Sequence, residues 1–461
     1  MSTLFEAMNQ EIVTTENGMK TNMTSLNSCV DLFFHFGSSR GKDIIPDFSK
    51  AFAENTDIAT RIALWGRDVR EGAGERQLFK EVLSYLIEKD ETDVCAILDK
   101  ISEIGRYDDL FVAFETKYES YACEIIEISL RNKNGLCAKW MPRKGKNANI
   151  LRKYLKLTPK QYRKLLVSLT NVVETPMCAK EFDTIDYSKI PSLASARYTN
   201  AFKRNDEQRY NAYIASLKKG EAKVNAGAVY PYDVIKTLNK GQADFANEQW
   251  KALPDYLKDS NEKILVVVDT SGSMESNITS NLTAMDVSVS LGLYLSERLK
   301  GYFENSFITF SSNPSIQHLK GSLSDRYEQL CEADWSMSTN LEAVFNLVLT
   351  TARSHNVSKE DMPSMILIIS DMEFNQGVRY DLNASKLIEQ YYADAGYEIP
   401  KVVFWNVNAR NRQNFPATSK QQNIAMISGF SPSIMTSVLA GKDFTPEGIM
   451  LETIMKDRYK V

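Results

Sequence analysis

The sequence predicts a two-part molecule. Residues 1–255 read as an all-α region of HEAT-like helical repeats, and residues 256–461 as a doubly wound α/β domain. Three observations carry this. The chain has 461 residues, too many for one hydrophobic core. Its first half is a succession of amphipathic segments of helical period, joined by short glycine-containing turns, with no strong strand. Its second half alternates near-continuous apolar runs with helical segments, the pattern of a parallel sheet covered on both faces.

The helical half reads in order. "DIATRIALWGRDVREGAGERQLFKEVLSYLIEKD" is two amphipathic helices around Gly72–Gly74, "DVCAILDKISEIGRYDDLFVAFE" two more around Gly105, and "YESYACEIIEISLRNKN" another. "LTPKQYRKLLVSLTNVVE" carries Thr158 as N-cap, Pro159 at the first helical position and Gln161 three after the cap, a capping box. In the second half the strands are "KILVVVD", "SFITFSS", "SIQHLKG", "SMILIISD", "KVVFWNVN" and "QNIAMISGF", with helices near 339–355, 382–394 and 446–457. "AMDVSVSLGLYLSERL" is ambiguous. Its alternation is strand-like, but Ala284, Ser288, Gly292 and Ser296 recur every four residues as a small-residue helix face. A helix is expected, because the crossover between parallel strands needs one.

Composition narrows the function classes. No apolar run is long enough to cross a bilayer, and the start lacks the basic and apolar regions of a signal peptide. A cytoplasmic chain, working as a monomer, is expected. Six scattered cysteines without a CxxC pair, and three separated histidines, argue for reduced thiols and against a zinc site. "REGAGERQ" lacks the GK[ST] ending of a P-loop, and no GxSxG arrangement occurs, so no enzymatic activity is expected.

Two stretches carry chemistry. In "KILVVVDTSGSM" a buried strand runs into Asp269, Ser271 and Ser273, whose oxygens at i, i+2 and i+4 can converge on a hard cation such as Mg²⁺. Mn²⁺ or Ca²⁺ would suit the same oxygens. The bland alternative is a polar turn with N-cap serines. The second stretch is Arg131–Val173, 43 residues with twelve Lys or Arg and no Asp or Glu. Subtracting those cations from the net charge of −4 leaves −16 on the rest of the chain, so the block is a localised field. Its members include Lys139, Arg143, Lys144, Lys146, Arg152, Lys153, Lys156, Lys160, Arg163 and Lys164, candidates to neutralise RNA phosphates. A solvated face is the alternative, although solvated helices usually mix signs. Arg67, Arg70 and Arg76 are further possible phosphate contacts. Arg197, Lys203, Arg204 and Arg209 interleave with Tyr198, Phe202, Tyr210 and Tyr213, which could stack on single-stranded bases or could be core.

"VVVDTSGSM", "STNLEAVF" at 338–345 and "LIISDMEF" at 367–374 resemble, in order, the three pieces of the metal-ion-dependent adhesion site of von Willebrand factor A domains. Joined to a helical half, the chain resembles the Ro ribonucleoprotein family, a TROVE-type domain plus an A domain. It is closer still to an uncharacterised sister family of plants, fungi and phages, through phrases such as "LWGRDVREGAGERQLF", "KWMPRKG" and "GEAKVNAGAVYPYDVI". The resemblance implies a ring of HEAT-like repeats joined by the A domain. It also implies binding of small noncoding RNAs and the single-stranded ends of misfolded RNAs. For the metal site it implies that Thr339 and Asp371 complete the ligand set, Asp371 through water. Two carboxylates among five oxygens leave room for an acidic group from a protein partner. The leading expectation is an RNA-binding scaffold or chaperone. The alternative is a metal-dependent protein-interaction adaptor working through the A domain.

Overall fold

The computed structural model describes residues 12–310, 314–332, 338–379 and 381–461. The last two residues of the expected strand "SFITFSS" lie outside that set. The described residues begin with a short antiparallel hairpin, β1 (Ile12–Thr14) and β2 (Lys20–Asn22). Helices follow: α1 (Ser28–Phe36), α2 (Ile45–Glu54), α3 (Thr56–Arg67), α4 (Arg76–Lys89), α5 (Val94–Ile104) and α6 (Glu119–Arg131). Next come α7 (Gly135–Trp140), α8 (Lys146–Tyr154), α9 (Pro159–Leu169), α10 (Glu174–Ala179), α11 (Ser192–Asn205), α12 (Glu207–Lys218), α13 (Pro231–Asn239) and α14 (Ala243–Lys251).

Local chemistry sets these boundaries. Thr158 and Gln161 form the reciprocal capping box ahead of α9. The turn between α3 and α4 needs its glycines: a Cβ on Gly72 would lie 1.9 Å from the Trp65 carbonyl oxygen. Gly74 has a φ of +72°, and its Cβ would meet the Tyr230 hydroxyl. One helix is replaced. The segment after Gly105 is a 3-10 helix, Tyr107–Ala113, because Asp109 turns inward to cap its start and to pair with Arg67.

The second half contains β3 (Ile264–Val268), a small ribbon of β4 (Asn277–Thr279) and β5 (Leu282–Thr283), and α15 (Ala284–Arg298). Then follow β6 (Ser306–Thr309), β7 (Ile316–His318), α16 (Leu323–Cys331), α17 (Leu341–Ser354) and β8 (Met365–Ser370). The chain closes with α18 (Ala384–Ala395), β9 (Lys401–Asn406), β10 (Ile424–Ser428), α19 (Met435–Ala440) and α20 (Pro446–Ile454). The six-stranded sheet has the order β10-β9-β8-β3-β6-β7, parallel throughout except for the antiparallel edge strand β7. The ambiguous segment is the helix α15. Ala284, Ser288 and Ser296 are buried, and a Cβ on Gly292 would lie 2.5 Å from Val268, so the small-residue face lets α15 press on β3.

The helical run meets the sheet domain at both of its ends. From its start, α1 packs on β10 and α3 on α20; from its end, α13 packs on α15 and α14 on α16. Gly37, just past α1, sits so close to Gly429 that a Cβ there would be 2.7 Å from the Gly429 backbone. Chain ends reinforce the junction. Thr15 donates to the Phe374 carbonyl, Asn22 exchanges backbone hydrogen bonds with Phe415, and Arg458 and Tyr459 bind Asp68 of the helical region. The hairpin is a correction to the expected all-α first half. Its partners lie nearly 400 residues away, out of reach of any local pattern.

Candidate metal centre and cationic surface

The sheet order explains why two separated aspartates become neighbours. β3 pairs with β6 on one side and β8 on the other, so its carboxyl end is the topological switch point, where ligands bind in open α/β sheets. Val268 is in register with Ile369, and Asp269 N donates to the Ile369 carbonyl at 2.9 Å. Both strands therefore spill an aspartate, Asp269 and Asp371, into one crevice.

The crevice is built from oxygens. Asp269 is fully buried, accepting from Ser370 Oγ at 2.6 Å and from the Ser271 backbone N at 2.9 Å. Ser271 Oγ and Ser273 Oγ lie 3.0 Å apart. Thr339 precedes α17 and is tied to the loop after β8 by the bond from Asn375 N to its carbonyl. Ser288 of α15 steadies the Asp269 carbonyl from behind. Burial raises the Asp269 pKa; burial and then the neighbouring Asp269 charge raise that of Asp371 to about 7, against smaller opposing contributions from the Glu373 backbone N–H and the Ser273 hydroxyl.

Thr339 Oγ1 and Asp371 Oδ2 are buried and have no hydrogen-bond partner. Buried polar atoms without a hydrogen bond cost about 1–3 kcal/mol each, so two in one crevice fit an oxygen-seeking group, although Asp371 Oδ2 also faces Arg410 at 3.8 Å. Two carboxylates and three hydroxyls suit a hard divalent ion that keeps some water. Among the described residues there is no cluster of three or more His, Cys, Asp or Glu that could hold a metal.

The cationic candidates divide. Lys139, Lys144, Lys153, Lys156, Lys160, Arg163 and Lys164 are exposed on α7–α9 and their loops and form no ion pair among the described residues. Arg143 donates to Thr170, Arg152 is half-buried and donates to the Leu157 carbonyl, and Lys146 pairs with Glu115. Arg197, Lys203 and Arg204 are exposed on α11; Arg209 is committed to Asp206 and to the Phe182 and Ile185 carbonyls. Arg67 is a correction. It is 3% exposed and bound to the buried Asp109, so it stabilises a turn and offers no phosphate contact. Arg76 faces Asp108 and Asp109, and Arg70 donates to the Glu103 carbonyl. For the aromatic cluster, which the sequence leaves between base stacking and core, the structure favours core. Phe202 and Tyr210 are fully buried in a satellite core with Ile185, Tyr187 and Ile190, and Tyr198 is half-buried on Glu174. Their helical spacing reflects packing rather than base stacking.

A family model described as "Domain of unknown function (DUF2828)" matches residues 15–103 and 119–262. The chain belongs to the DUF2828 family. A second model, "Domain of unknown function (DUF7788)", matches residues 263–459, the sheet domain. A protein of Acanthamoeba polyphaga mimivirus described as "Uncharacterized protein L728" is 30% identical over 501 residues, covering 95% of this chain and 86% of its own. Among solved structures, the Ro (RSR) protein of Deinococcus radiodurans superposes with a TM-score of 0.50 at 13% identity, covering 94% of this chain and 100% of that one. This DUF2828 chain therefore has the Ro-like fold, helical repeats joined to a von Willebrand A-like domain.

Sequence reading missed the residues around the mouth of the crevice. Arg410 Nη1 lies 3.8 Å from Asp371 Oδ2 while its Nη2 is 2.7 Å from Glu16. Glu373, fully buried, accepts from the Glu16 backbone N and from Asn414. Only the hairpin's return to the sheet domain brings Glu16 there, and no motif announces it.

Proposed function

We propose that this DUF2828 chain is a non-catalytic RNA-binding scaffold or chaperone. Its helical region binds noncoding RNA, including single-stranded ends, and its A-like domain holds a structural or regulatory Mg²⁺. The observation that carries the reading is the acid-free segment α7–α9, which exposes seven cations that form no ion pair among the described residues. Phosphate neutralisation by such a surface supplies non-specific affinity and makes it fall with salt. The Ro resemblance gives the fold on which this chemistry sits. Asp269, Ser271, Ser273, Thr339 and Asp371 are the ligand set, with Mn²⁺ or Ca²⁺ as substitutes. The carboxylates are assigned to the ion, leaving no nucleophile–base pair for turnover. Crosslinking in cells, followed by sequencing of the bound RNA, tests the reading. Recovery of no RNA above that of a variant lacking the seven cations overturns it.

A second reading is favoured by the two orphaned oxygens at Thr339 and Asp371. In it the metal is the working part and an acidic group of a protein partner completes its coordination. Loss of RNA binding with metal-dependent capture of a specific protein would decide for it.

A further inference from the structure

Two loops from opposite ends of the chain meet at the mouth of the oxygen crevice. One follows α1 and carries Lys42; the other follows β9 and carries Asn408, Arg410 and Arg412. They are zipped together. Ala409 N donates to the Ser38 carbonyl at 3.0 Å, and Lys42 Nζ donates to Asn408 Oδ1 at 2.8 Å and to the Ala409 carbonyl. Asn408 Nδ2 in turn donates to Ser276 Oγ at 2.8 Å, and Ser276 N to the Ser273 carbonyl. Lys42, from the helical region, is thereby pinned to the metal loop of the sheet domain. On the same rim Arg410 spans Asp371 and Glu16, and Arg412 lies 3.8 Å from Asp47, which also faces His35.

The rim is crowded with positive charge. The Lys42 ammonium is half-buried, and its pKa is lowered to about 8, first by that burial and then by Arg410 and Arg412, with Asp371 pulling the other way. A divalent ion on Asp269 and Asp371 takes Asp371 away as a counter-charge. Arg410 keeps Glu16, but Lys42 keeps only neutral acceptors. An ion held by Asp269 and Asp371 would therefore lie beside the Arg410 guanidinium, with the Lys42 ammonium held on the adjoining loops within electrostatic reach of Asp371.

We propose that Lys42 and Arg410, together with a divalent ion on the Asp269–Asp371 crevice, form a phosphate-binding site at the junction of the two domains, where metal and phosphate bind cooperatively. The proposal rests on the metal reading above. A planar guanidinium fork, a lysine point charge and a hard cation are the three groups that proteins converge on phosphate oxygens. Cooperativity follows from the 3.8 Å approach of Arg410 to Asp371. Alone, the guanidinium repels an incoming cation; bridged by a phosphate, the two positive groups share one anion. By linkage each ligand then tightens the other by the same factor. The phosphate can be free, carried on a nucleotide, or the end of a bound RNA.

The test titrates Mg²⁺ into the full-length chain by calorimetry, with and without inorganic phosphate. The wild type should bind Mg²⁺ alone, and phosphate should tighten it by about five-fold or more. Lys42→Gln and Arg410→Gln should still bind Mg²⁺, Arg410→Gln more tightly than wild type without phosphate, and both should lose the enhancement. Asp269→Asn should bind neither, and serves as the blank for Mg²⁺–phosphate association in solution. Circular dichroism confirms that each variant is folded. Matched 5′-phosphorylated and 5′-hydroxyl RNAs separate the sources. A Mg²⁺-dependent preference for the phosphorylated end, lost in Arg410→Gln, assigns the site to RNA; coupling to inorganic phosphate without that preference assigns it to the free anion. Intact Mg²⁺ binding that phosphate leaves unchanged overturns the proposal while sparing the metal reading. So does enhancement by an acidic peptide but not by phosphate. Absence of Mg²⁺ binding in the wild type overturns both.

Discussion

Replacing Lys144, Lys153, Lys156, Lys160 and Lys164 together by Ala should flatten the salt dependence of RNA binding. All five are exposed and form no ion pair among the described residues, so no internal partner must be broken before they reach a phosphate. Each contact contributes about 0.7–0.9 to the slope of log affinity against log salt, so five should remove roughly 3.5–4.5 units. Across a fourfold rise in salt, the wild type should then lose about 100–500-fold more affinity than the variant. The assay is fluorescence anisotropy with a labelled hairpin bearing a single-stranded tail, repeated over a salt series. Folding should be untouched, since surface changes of this kind are worth within about 0.5 kcal/mol each. The same experiment on Arg143, Lys146 and Arg152 should give less than their number suggests, because Thr170, Glu115 and Leu157 already hold them. A five-fold variant with the wild-type slope would refute the reasoning and make α7–α9 a solvated face.

Asp269→Ala should abolish Mg²⁺ or Mn²⁺ binding in a calorimetric titration while leaving the sheet folded. Stability of the metal-free chain should fall as pH rises. The folded pKa of Asp371, raised to about 7, lies above its ordinary 3.8, so its contribution is full below about pH 4 and lost through about pH 7. Melts at a series of pH values in chelator and in Mg²⁺ should diverge as pH increases, and parallel curves would contradict this. Tyr210→Phe should leave RNA affinity unchanged in the anisotropy assay, since the ring is buried and the change removes a hydroxyl that meets Thr199 inside the satellite core. Phe202→Ala should cost about 3–5 kcal/mol, read by chemical denaturation of the helical region. Gly37→Val should lower the melting temperature by forcing α1 away from Gly429.

What could be read from the sequence was whatever local pattern controls. Apolar runs ending in aspartate announced β3 and β8, and their adjacency followed from the parallel pairing. The four-residue spacing of Ala284, Ser288, Gly292 and Ser296 announced α15 against a competing strand pattern, and close packing on Val268 decided it. Illegible features all depend on partners distant in the chain. Arg67 looked like a free cation because Asp109, 42 residues away, is invisible to a local reading. Phe202 and Tyr210 read equally as a stacking platform or as core, because helical spacing is the same whether a face meets solvent or Tyr187. The hairpin at 12–22 has too few residues for any period to show, and its pairing with Phe415 comes from the fold alone.

The hairpin's long reach also sets an order of events during synthesis. Thr15 must wait for Phe374, 359 residues downstream, before its hydrogen bond can form. At about 5–20 residues per second, ribosomes take roughly 20–70 s to cover that distance. For all of that time residues 12–25 emerge without the surface they are built to join, while the helices behind them can already pack. Residues 12–25 are thus made long before the surface that receives them, and the crevice acquires Glu16 only after β8 and the loop that follows it have been made. A factor that shields residues 12–25 during synthesis would act before β8 is made, and release would follow once the loop after β8 is in place.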